Sequence, residues 1–559
     1  MKLRKIIAAL IALLMFPTAC MHVHAEDRPF IFDRDTWAFG NTHFMLGNTY
    51  RLTPHDHAIM EKTLSHTERR VFDECMSERW QGSCYGFAVT SLLANAGIID
   101  PELYEPNATG IRDVTLKEEA VSLIDYYQQM QCMDEIRNEN AWNAYYKTSD
   151  ERLETLLQLA KEDTPALVSY SGHFDRRKDI YAHAVVAYAF ESGDYTWEEK
   201  HYDGRIKIYD SNVIVDDYNR YLYIDSQNGN WCIPSYDLYS EEGAQIDLFR
   251  ADLEFLNNKG LIAGTNFKSD KPPMALLQSC KLNGKYSCTK TSFDEAWHDT
   301  QDDAEIKEFC YVFGSMVASD QDFIAPDAES GYCVTVQDEQ EPEMTMFYPG
   351  KLLYTKGVGQ EARFSPDGTV MISSSGQPYT IELVGNEGHY YGSYYDMTLI
   401  GTAGTAQLSM TEDGYLLTAD QLDAVQITAK SDTGREMLNV ATDTNAILFY
   451  ETDTHHLAAA IDKDGNGSYE TVIAEASQLG DLNADGTANS SDAAQLLIAA
   501  ASIGAGNASG LTETQEKAAD VNADGSINAS DSAILLQYSA AIGAGSFDGN
   551  LELYVVALA

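Results

Sequence analysis

Residues 80–88 read Trp-Gln-Gly-Ser-Cys-Tyr-Gly-Phe-Ala and place Cys84 between a small-residue turn and an apolar, alanine-rich run. The run over 85–96 predicts a buried helix, so the thiol is expected at the positive end of a helix dipole, among N–H groups without intrahelical partners. Such surroundings lower a thiol pKa and favour the nucleophilic thiolate. A lone cysteine is more often a buried or disulfide-bonded structural residue, and the rest of the chain has to distinguish these roles.

The length and charge of the chain limit the classes of protein to consider. A chain of 559 residues exceeds the size of one hydrophobic core and predicts three or four domains. The hydrophobic content of 44% is that of a folded protein, and the net charge of −48 argues against nucleic acid or an anionic membrane as partner. Acidic clusters on such a chain are also where calcium binds.

The N-terminus has the pattern of an export signal. Residues 1–25 combine a basic start, an apolar run over 6–16 and a small-residue cleavage site, which predicts a secretory signal peptide. The apolar run is too short for a stable membrane span, and no later stretch qualifies. We therefore expect a secreted, extracellular protein without a membrane span.

The cysteines beyond the predicted signal peptide are scattered. None of the eight forms a CxxC pair, so no zinc site is indicated. Export permits disulfides, and Cys280–Cys288 and Cys310–Cys333 are candidate pairs, with the connectivity left open.

The hydrophobic pattern changes along the chain and predicts successive domains. Residues 26–70 form an N-terminal extension, either a propeptide or an integral first layer of the next domain. Residues 71–270 show helices followed by a mostly antiparallel sheet, an α+β order. A mixed acidic connecting region (271–343) leads to 344–475, where short alternating strands separated by Gly, Asn and Asp turns predict a β-sandwich.

The strongest signal is an internal repeat near the C-terminus. Residues 480–492 recur as 519–531. Counted from Asp481 and Asp520 as loop position 1, oxygen-bearing side chains stand at positions 1, 3, 5, 9 and 12, and glycine stands at position 6. A hard cation needs six to eight oxygens at about 2.3–2.6 Å, which this spacing can wrap around one point. An apolar helix is predicted after each loop, and position 12 is Asp where an EF-hand has Glu. The repeat predicts two Ca²⁺ sites, with Thr487 and Ser526 contributing backbone carbonyls. The ligands are Asp481, Asn483, Asp485, Thr487, Asn489 and Asp492, then Asp520, Asn522, Asp524, Ser526, Asn528 and Asp531.

This repeat resembles a dockerin, the module that attaches secreted enzymes to cohesin-bearing scaffoldins of cellulosome-type complexes. The resemblance predicts a small helical calcium-binding domain over 476–545, followed by a tail over 546–559. It implies a cohesin domain as partner, contacted by residues at loop positions 10 and 11, which are Ser490, Ser491, Ala529 and Ser530. The Lys-Arg pair of clostridial members is replaced by Leu-Ile at 497–498 and Leu-Gln at 536–537, which leaves the cohesin type open.

A cysteine nucleophile needs a base within hydrogen-bond reach and a third group that orients the base. His183 lies in a predicted strand whose small flanking residues leave room beside the ring, whereas His173 lies in a polar loop. The following strand ends in Asp210 and Asn212, either of which could accept from the ring N–H, with Asp210 preferred. A histidine in such a strand is more often a core residue whose hydrogen bonds are satisfied. A catalytic role therefore requires that His183 lies within hydrogen-bond reach of Cys84.

Together these stretches resemble a papain-like cysteine peptidase over residues 70–230. Residues 82–88 are similar to the segment that carries the nucleophile, 182–186 to the His-Ala-Val strand, and 209–212 to the Asn/Asp segment. The resemblance implies Cys84 as nucleophile, His183 as proton shuttle and Asp210 as orienting acid. The family's oxyanion-hole glutamine lies about six residues before the cysteine. Glu78 occupies that position here, and the nearby glutamine is Gln81.

The combined prediction is a secreted, calcium-dependent cysteine endopeptidase bound to a scaffoldin, acting on protein or peptide substrates. One alternative is a cellulosomal enzyme of polysaccharide catabolism, which needs two carboxylates about 5–10 Å apart. The other is an inactive papain-like domain with a binding or inhibitory role.

Overall fold

The computed structural model describes part of the chain. It covers residues 28–555 apart from 78, 174–179, 214–219, 249–251, 281–285, 292–306, 310–320, 326, 337–342, 386–393, 403–404, 420–423, 432–433, 442–445, 453–454, 463–468, 470, 474–476, 484–486, 512, 523, 545–546, 548–550 and 552–553. The predicted signal peptide lies outside the described residues. Within the described part, no helix is long and apolar enough to cross a membrane.

The described residues contain helices throughout the N-terminal half and again near the C-terminus. They are α1 Phe32–Asp35, α2 His43–Leu46, α3 Pro54–Thr63, α4 His66–Ser77, α5 Cys84–Asn95, α6 Glu118–Met130, α7 Asp134–Tyr146, α8 Ser149–Lys161, α9 Leu253–Leu256, α10 Ser490–Gly504, α11 Glu513–Ala519 and α12 Ala529–Gly543. Short 3-10 helices lie at Pro101–Leu103, Ile111–Asp113, Pro234–Tyr236 and Ser240–Glu242.

Strands follow the first group of helices. They are β1 Ala166–His173, β2 Ile180–Trp197, β3 Lys200–Tyr209, β4 Tyr221–Asp225, β5 Asn230–Ile233, β6 Leu238–Tyr239, β7 Gln245–Leu248, β8 Ala275–Cys280, β9 Tyr286–Thr291, β10 Lys307–Phe309, β11 Gln321–Ala325, β12 Gly331–Val336, β13 Glu343–Tyr348, β14 Lys351–Phe364, β15 Val370–Gly385, β16 Asp396–Thr402, β17 Thr405–Met410, β18 Tyr415–Ala419, β19 Ala424–Ser431, β20 Gly434–Ala441, β21 Ala446–Glu451, β22 Leu457–Asp462, β23 Thr471–Ile473 and β24 Ser477–Gln478.

The chain divides into two compact units, each built from several segments that are distant in sequence. The first unit contains residues up to 59, 79–131 and 147–267, and the second contains 60–78, 132–146 and 268 onward. Helices α4 and α7 therefore belong to the second unit, although the predicted α+β domain spans 71–270. The predicted domain boundaries remain predictions.

In the first unit, helices precede a seven-stranded antiparallel sheet with the order β6-β5-β4-β3-β2-β1-β7. Its core combines the buried face of α8 with alternating residues of the central strands, including Val168, Val185, Ile206 and Leu222. This is the α-then-β order expected from the pattern change. The central strands β2 and β3 reach from the core to the functional side chains described below.

The second unit contains a large antiparallel sheet that begins before the predicted β-domain. Strand β8 pairs with β11 and β13, and β12 pairs with β14, so residues 275–336 supply strands to the same sheet as 344–475. The sequence pattern indicated a connecting region there, because these pairings are non-local and leave no regular local pattern. The sandwich arrangement remains a prediction.

The C-terminal helices α10 and α12 pack around a small apolar core. Leu482, Leu496, Val521 and Leu535 are buried in it. Each helix begins at an asparagine N-cap, Asn489 or Asn528, whose side chain accepts from a backbone N–H in the first turn. The equivalence of the two starts follows from the sequence repeat.

Candidate functional site

Cys84 is the first residue of α5 and is partly exposed. The loop before it is fixed through Ser83, whose backbone N–H donates to Asn41 Oδ1 at 2.7 Å. The Ser83 hydroxyl donates to the buried carboxylate of Asp125 at 2.7 Å and accepts from the Trp80 indole N–H at 2.9 Å. The thiol therefore lies at a helix start whose preceding loop is held by Trp80 from within the loop and by Asn41 and Asp125 from outside it.

Helix α5 packs closely on α6 at its first turn. The Gly86 N–H donates to Gln128 Oε1 at 2.9 Å, and a Cβ at Gly86 would lie 2.0 Å from the Ile124 carbonyl oxygen. Only glycine permits this backbone approach. The second glycine of the nucleophile stretch is thus a packing residue that fixes the nucleophile helix.

His183 on β2 joins Cys84 to an acid. Its Nε2 lies 2.8 Å from Asp210 Oδ1, and it is hydrogen-bonded to the Cys84 thiol. Because Nε2 faces the carboxylate, the thiol contact falls to Nδ1. The His183 side chain is 2% exposed and lies beside the rings of Tyr170 and Tyr236. This arrangement places an imidazole between a thiol and a carboxylate.

Asp210, at the end of β3, is buried and surrounded by donors. Its Oδ1 accepts from the Asn212 N–H at 2.8 Å, and its Oδ2 accepts from the Tyr236 hydroxyl at 2.6 Å. Arg220 Nη1 lies 3.2 Å from Oδ2. Burial raises the pKa of the Asp210 carboxyl, but His183, Arg220 and Tyr236 outweigh it and lower the pKa to about 2.

The pKa shifts of the Cys84 thiol and the His183 imidazole both favour the ion pair of thiolate and imidazolium. Burial raises the pKa of the Cys84 thiol, but the hydrogen bond and charge of His183, with the Ala184 and Tyr85 backbone groups, lower it below its ordinary value. Burial lowers the pKa of the His183 imidazole, but Tyr236 and Asp210 raise it well above its ordinary value. A thiolate facing an imidazolium is the reactive form of a cysteine nucleophile.

Two other thiols, Cys232 and Cys333, have pKa values that move in the opposite direction to that of Cys84. Cys75, Cys132, Cys232 and Cys333 are buried. Burial raises the pKa of Cys232, which belongs to the same unit as Cys84, to about 11. Cys333 has no disulfide partner among the described residues, and the other half of the candidate pair, Cys310, lies outside them.

The remaining predicted residues take different places. Asn212 donates its backbone N–H to the Asp210 carboxylate, whereas Asp210 itself is hydrogen-bonded to the His183 imidazole. Gln81 is exposed in the loop before Cys84, and its backbone N–H donates to the Tyr50 hydroxyl at 3.2 Å. His173 ends β1, and Glu78 lies outside the described residues.

Sequence reasoning missed four residues that support this arrangement. Asn41, Asp125, Arg220 and Tyr236 contact the Cys84 loop or the Asp210 turn. They come from four separate stretches, and none stands in a motif or at a spacing that indicates its partner. No signal in the single sequence could have found them.

The two C-terminal loops have matching hydrogen bonds. Asp492 Oδ1 accepts from the N–H groups of Leu482 and Asn483 at 2.9 and 3.0 Å. Asp531 Oδ1 does the same for Val521 and Asn522 at 3.0 and 3.2 Å. Both carboxylates also accept from the N-cap N–H and complete a capping box.

The predicted ligands supply hard oxygens suited to calcium, and Gly525 has the positive φ of +81° that the sharp turn requires. In the second loop Asp520 Oδ2 accepts from the Gly525 N–H at 2.9 Å, and the Ser526 carbonyl accepts from the Asn528 amide at 2.9 Å. The Thr487 carbonyl of the first loop has the equivalent contact with Asn489. These oxygens fit a cation by type and position along the loop.

Within the described part of the chain, no three His, Cys, Asp or Glu side chains gather into a metal-binding group. Asp485, a predicted ligand, lies outside that part, whereas Asp481 and Asp524 are described. Burial, with the charge of Asp520, raises the pKa of Asp531, and the hydrogen bonds from Asn528 and Asn522 oppose this rise. A bound cation would offset the repulsion between these acids.

The surface around the loops is exposed. Ser490, Ser491, Ala529 and Ser530, the predicted cohesin contacts, begin α10 and α12 and face solvent. Large apolar side chains one turn or more later are also exposed, namely Leu497, Ile498 and Leu536. These side chains stand at three of the four positions of the Lys-Arg pairs described above, and Gln537 stands at the fourth.

Comparison with known families identifies the C-terminal module. Residues 479–538 match the family model of the Dockerin type I domain. No curated protein matches the chain. Type I dockerin domains bind calcium, and a dockerin implies cohesin binding in a cellulosome-type, extracellular assembly. The dockerin prediction is confirmed, while the papain-like resemblance rests on the residues and geometry around Cys84.

Proposed function

We propose that this protein is a secreted cysteine endopeptidase carried on a cohesin scaffoldin by its dockerin. The observation that supports the peptidase is the contact of His183 with both Cys84 and Asp210, 2.8 Å from the carboxylate. Two shifted pKa values, lowered at the thiol and raised at the imidazole, accompany that contact. The pairing of nucleophile, base and orienting acid is what acyl transfer needs.

The reaction proceeds in two balanced steps. The Cys84 thiolate attacks the peptide carbonyl carbon, and the His183 imidazolium gives its proton to the leaving amine, which forms a thioester and releases the C-terminal product. His183 then takes a proton from water as the water attacks the thioester, and the proton returns to the Cys84 sulfur or remains on the imidazole as the acid product leaves. Asp210 keeps the ring oriented and stabilises its charge throughout.

The oxyanion formed in each step needs hydrogen-bond donors. The Cys84 backbone N–H, at the first position of α5, has no intrahelical acceptor and supplies one donor. We assign the second to the Gln81 side chain, which is exposed in the adjoining loop. Replacing Gln81 by Ala should lower kcat by about 10²–10³-fold, and an unchanged kcat would remove this assignment.

Cys84→Ala tests the peptidase, with Cys232→Ala as matched control. Cys232 is a buried thiol of the same unit whose raised pKa keeps it protonated. We expect Cys84→Ala to abolish cleavage of casein, an unfolded protein, and labelling by an irreversible thiol inhibitor, while Cys232→Ala retains both. Full cleavage by Cys84→Ala would contradict the proposal. Xylan or cellulose hydrolysis that survives in this variant would favour a polysaccharide enzyme.

An inactive papain-like protein is the remaining alternative. Its signature would be a folded wild-type protein whose Cys84 resists the inhibitor at every pH and which cleaves no casein. The partly exposed thiol and its contact with His183 argue for reactivity instead.

The dockerin is proposed to bind two calcium ions and, through them, a cohesin domain. Calcium would draw the oxygens of each loop together in place of their present N–H and amide partners. We expect the full chain to bind at least one member of a panel of purified cohesin domains in calcium and to release it in excess EDTA. Binding that persists in EDTA would refute the calcium requirement.

A further inference from the structure

Asn41 contacts both loops that carry the reacting groups of the first unit. Its side-chain Oδ1 accepts from the Ser83 N–H at 2.7 Å, and its Nδ2 donates to Asn212 Oδ1 at 3.1 Å. Its backbone N–H donates to the Ser211 carbonyl at 2.8 Å. Because the Ser83 N–H must face an acceptor, it also fixes which way the Asn41 amide points. One side chain therefore connects the loop before Cys84 to the turn after β3.

The Asn212 end of this bridge leads to the orienting acid. The Asn212 Nδ2 donates to the Tyr236 hydroxyl at 3.1 Å, and that hydroxyl donates to Asp210 Oδ2 at 2.6 Å. The Asn212 backbone N–H donates to Asp210 Oδ1 at 2.8 Å. A displacement of Asn212 would thus reach both carboxylate oxygens of Asp210.

The Ser83 end leads to the nucleophile. Ser83 is the residue before Cys84, and its backbone N–H orientation sets the first turn of α5. Cys84 contacts His183, and His183 contacts Asp210. Asn41 consequently closes a ring of hydrogen bonds that runs through the thiol, the imidazole and the carboxylate and returns to the Cys84 loop.

The segment around Asn41 is held firmly in the first unit. Trp37 is fully buried, and its indole N–H donates to Thr90 Oγ1 of α5 at 2.9 Å. The Tyr50 hydroxyl donates to the Gly82 carbonyl at 3.0 Å, and Thr49 forms a β-bridge with Arg79. These contacts flank Asn41 on both sides along the chain.

We propose that Asn41 is a positioning residue that sets the separation of Cys84 and Asp210 about His183. The proposal rests on the proposed peptidase function. On this proposal, residues 37–50 are needed by the reactive site. They therefore belong to an integral layer of the domain and are not part of a propeptide that is removed. Without the bridge the thiolate–imidazolium pair loses its fixed geometry, and reactivity of the thiol at low pH falls.

The experiment compares Asn41→Ala, Asn41→Asp and the control Asn228→Ala in the full chain. Asn41→Ala removes both arms of the bridge. Asn41→Asp keeps the acceptor for the Ser83 N–H but sets a carboxylate oxygen against Asn212 Oδ1. Asn228 is an exposed asparagine of the same unit that contacts Asp225 within its own turn. The readouts are the pH profile of Cys84 alkylation by iodoacetamide, kcat and KM on casein, and thermal unfolding.

We expect both Asn41 variants to label at least tenfold more slowly than wild type at pH 6, to approach wild-type rates at pH 9, and to lose kcat more than KM. Asn228→Ala should match wild type. Wild-type labelling profiles in both Asn41 variants would overturn the proposal, and so would unfolding of both. If Asn41→Ala alone unfolds, Asn41→Asp decides.

The outcome also separates this role from the peptidase itself. A wild-type protein that labels at pH 6 but cleaves no casein would refute the peptidase, while slower labelling of the variants would still support the positioning role. A wild-type thiol that fails to label at pH 6 would overturn both.

Discussion

In the dockerin the position-12 acids of the two loops accept the same hydrogen bonds from their own loop, whereas the groups around Cys84 come together from distant segments. Asp492 and Asp531 each accept from N–H groups at the start of their own loop, within 10 positions of sequence. His183 and Asp210 are 27 positions apart, and Ser83 and Asn41 are 42 apart. A local site can be copied by duplication, whereas a tertiary site depends on the whole unit.

Glycine has a different role in each region. Gly86 is required because another helix backbone lies where its Cβ would be, while Gly525 has open space around it and a positive φ. The first requirement is imposed by packing and the second by the conformation of the loop itself. Substitutions in the two regions should therefore fail for different reasons.

After the loss of the nucleophile itself, the largest expected effect is that of His183→Ala on catalysis. Loss of the base should lower kcat/KM on casein by about 10²–10⁴-fold and raise the apparent pKa of Cys84 labelling. His201→Ala is the control, because His201 is a mostly exposed residue of the same unit that pairs with the exposed Asp194. Equal losses in the two variants would mean that His183 has no specific part in the reaction.

The next effect is a pH dependence of stability in the first unit. Burial raises the pKa of Asp125 to about 7 despite its hydrogen bonds from Ser83 and Arg51. The folded state thus retains a proton that the unfolded state has lost, so the free energy of unfolding falls as pH rises from about 4 to 7, by up to about 1.4 kcal/mol per pH unit. Between about pH 2 and 4 the free energy of unfolding instead rises with pH. The reason is that Asp210, with a pKa of about 2, has lost its proton in the folded state while the unfolded state still binds it.

Urea unfolding at several pH values measures this dependence, with fluorescence as the probe. Asp125→Asn removes one titrating group and should make the decline between pH 4 and 7 less steep, while Asp247 and Asp396, whose pKa values burial also raises, keep part of it. A variant with the wild-type slope would show that another group causes it. His183 adds to the decline only above about pH 6, where the unfolded imidazole, with an ordinary pKa of about 6.5, begins to lose the proton that the raised pKa retains in the folded state.

Gly86→Ala should destabilise the first unit by about 1–3 kcal/mol or more, because the clash is with the backbone carbonyl of Ile124 and no side-chain rotation relieves it. Gly525→Ala is the comparison in the dockerin, with an expected cost of about 1–2 kcal/mol from backbone strain. Thermal unfolding of the full chain, with and without calcium, measures both. A larger loss of stability in Gly525→Ala than in Gly86→Ala would contradict the expectation that the backbone clash at Gly86 costs more than the backbone strain at Gly525.

The smallest effects are expected from Asp492→Ala and Asp531→Ala, and they should be equal. Each removes one capping-box carboxylate, at a cost of about 0.5–2 kcal/mol of helix stability. Calorimetric titration of the full chain with calcium should give two ions for wild type, one for either variant and none for the double variant. Unequal losses would show that the loops are not equivalent.

The sequence by itself determined the dockerin. Its ligand spacing, turn glycines and following helices are all local, and the repeat supplied an internal control on each position. The sequence also determined the order of helices and strands around Cys84 and the pairing of Cys84 with His183 and Asp210, because short motifs surround these residues. Residues 275–336 were not assigned to a sheet, because their strands pair with distant partners.

Only the tertiary structure decided how the reactive site is supported. Asn41, Asp125, Arg220 and Tyr236 acquire their roles from contacts between segments that have no fixed spacing in sequence. It also showed why residues next to Cys84 in the stretch 80–88 are needed. Gly86 permits the close approach of α6, and Ser83 makes the contacts that hold the helix start. The physical reason is that hydrogen-bond partners and close packing are properties of position in space, whereas a motif records only position along the chain.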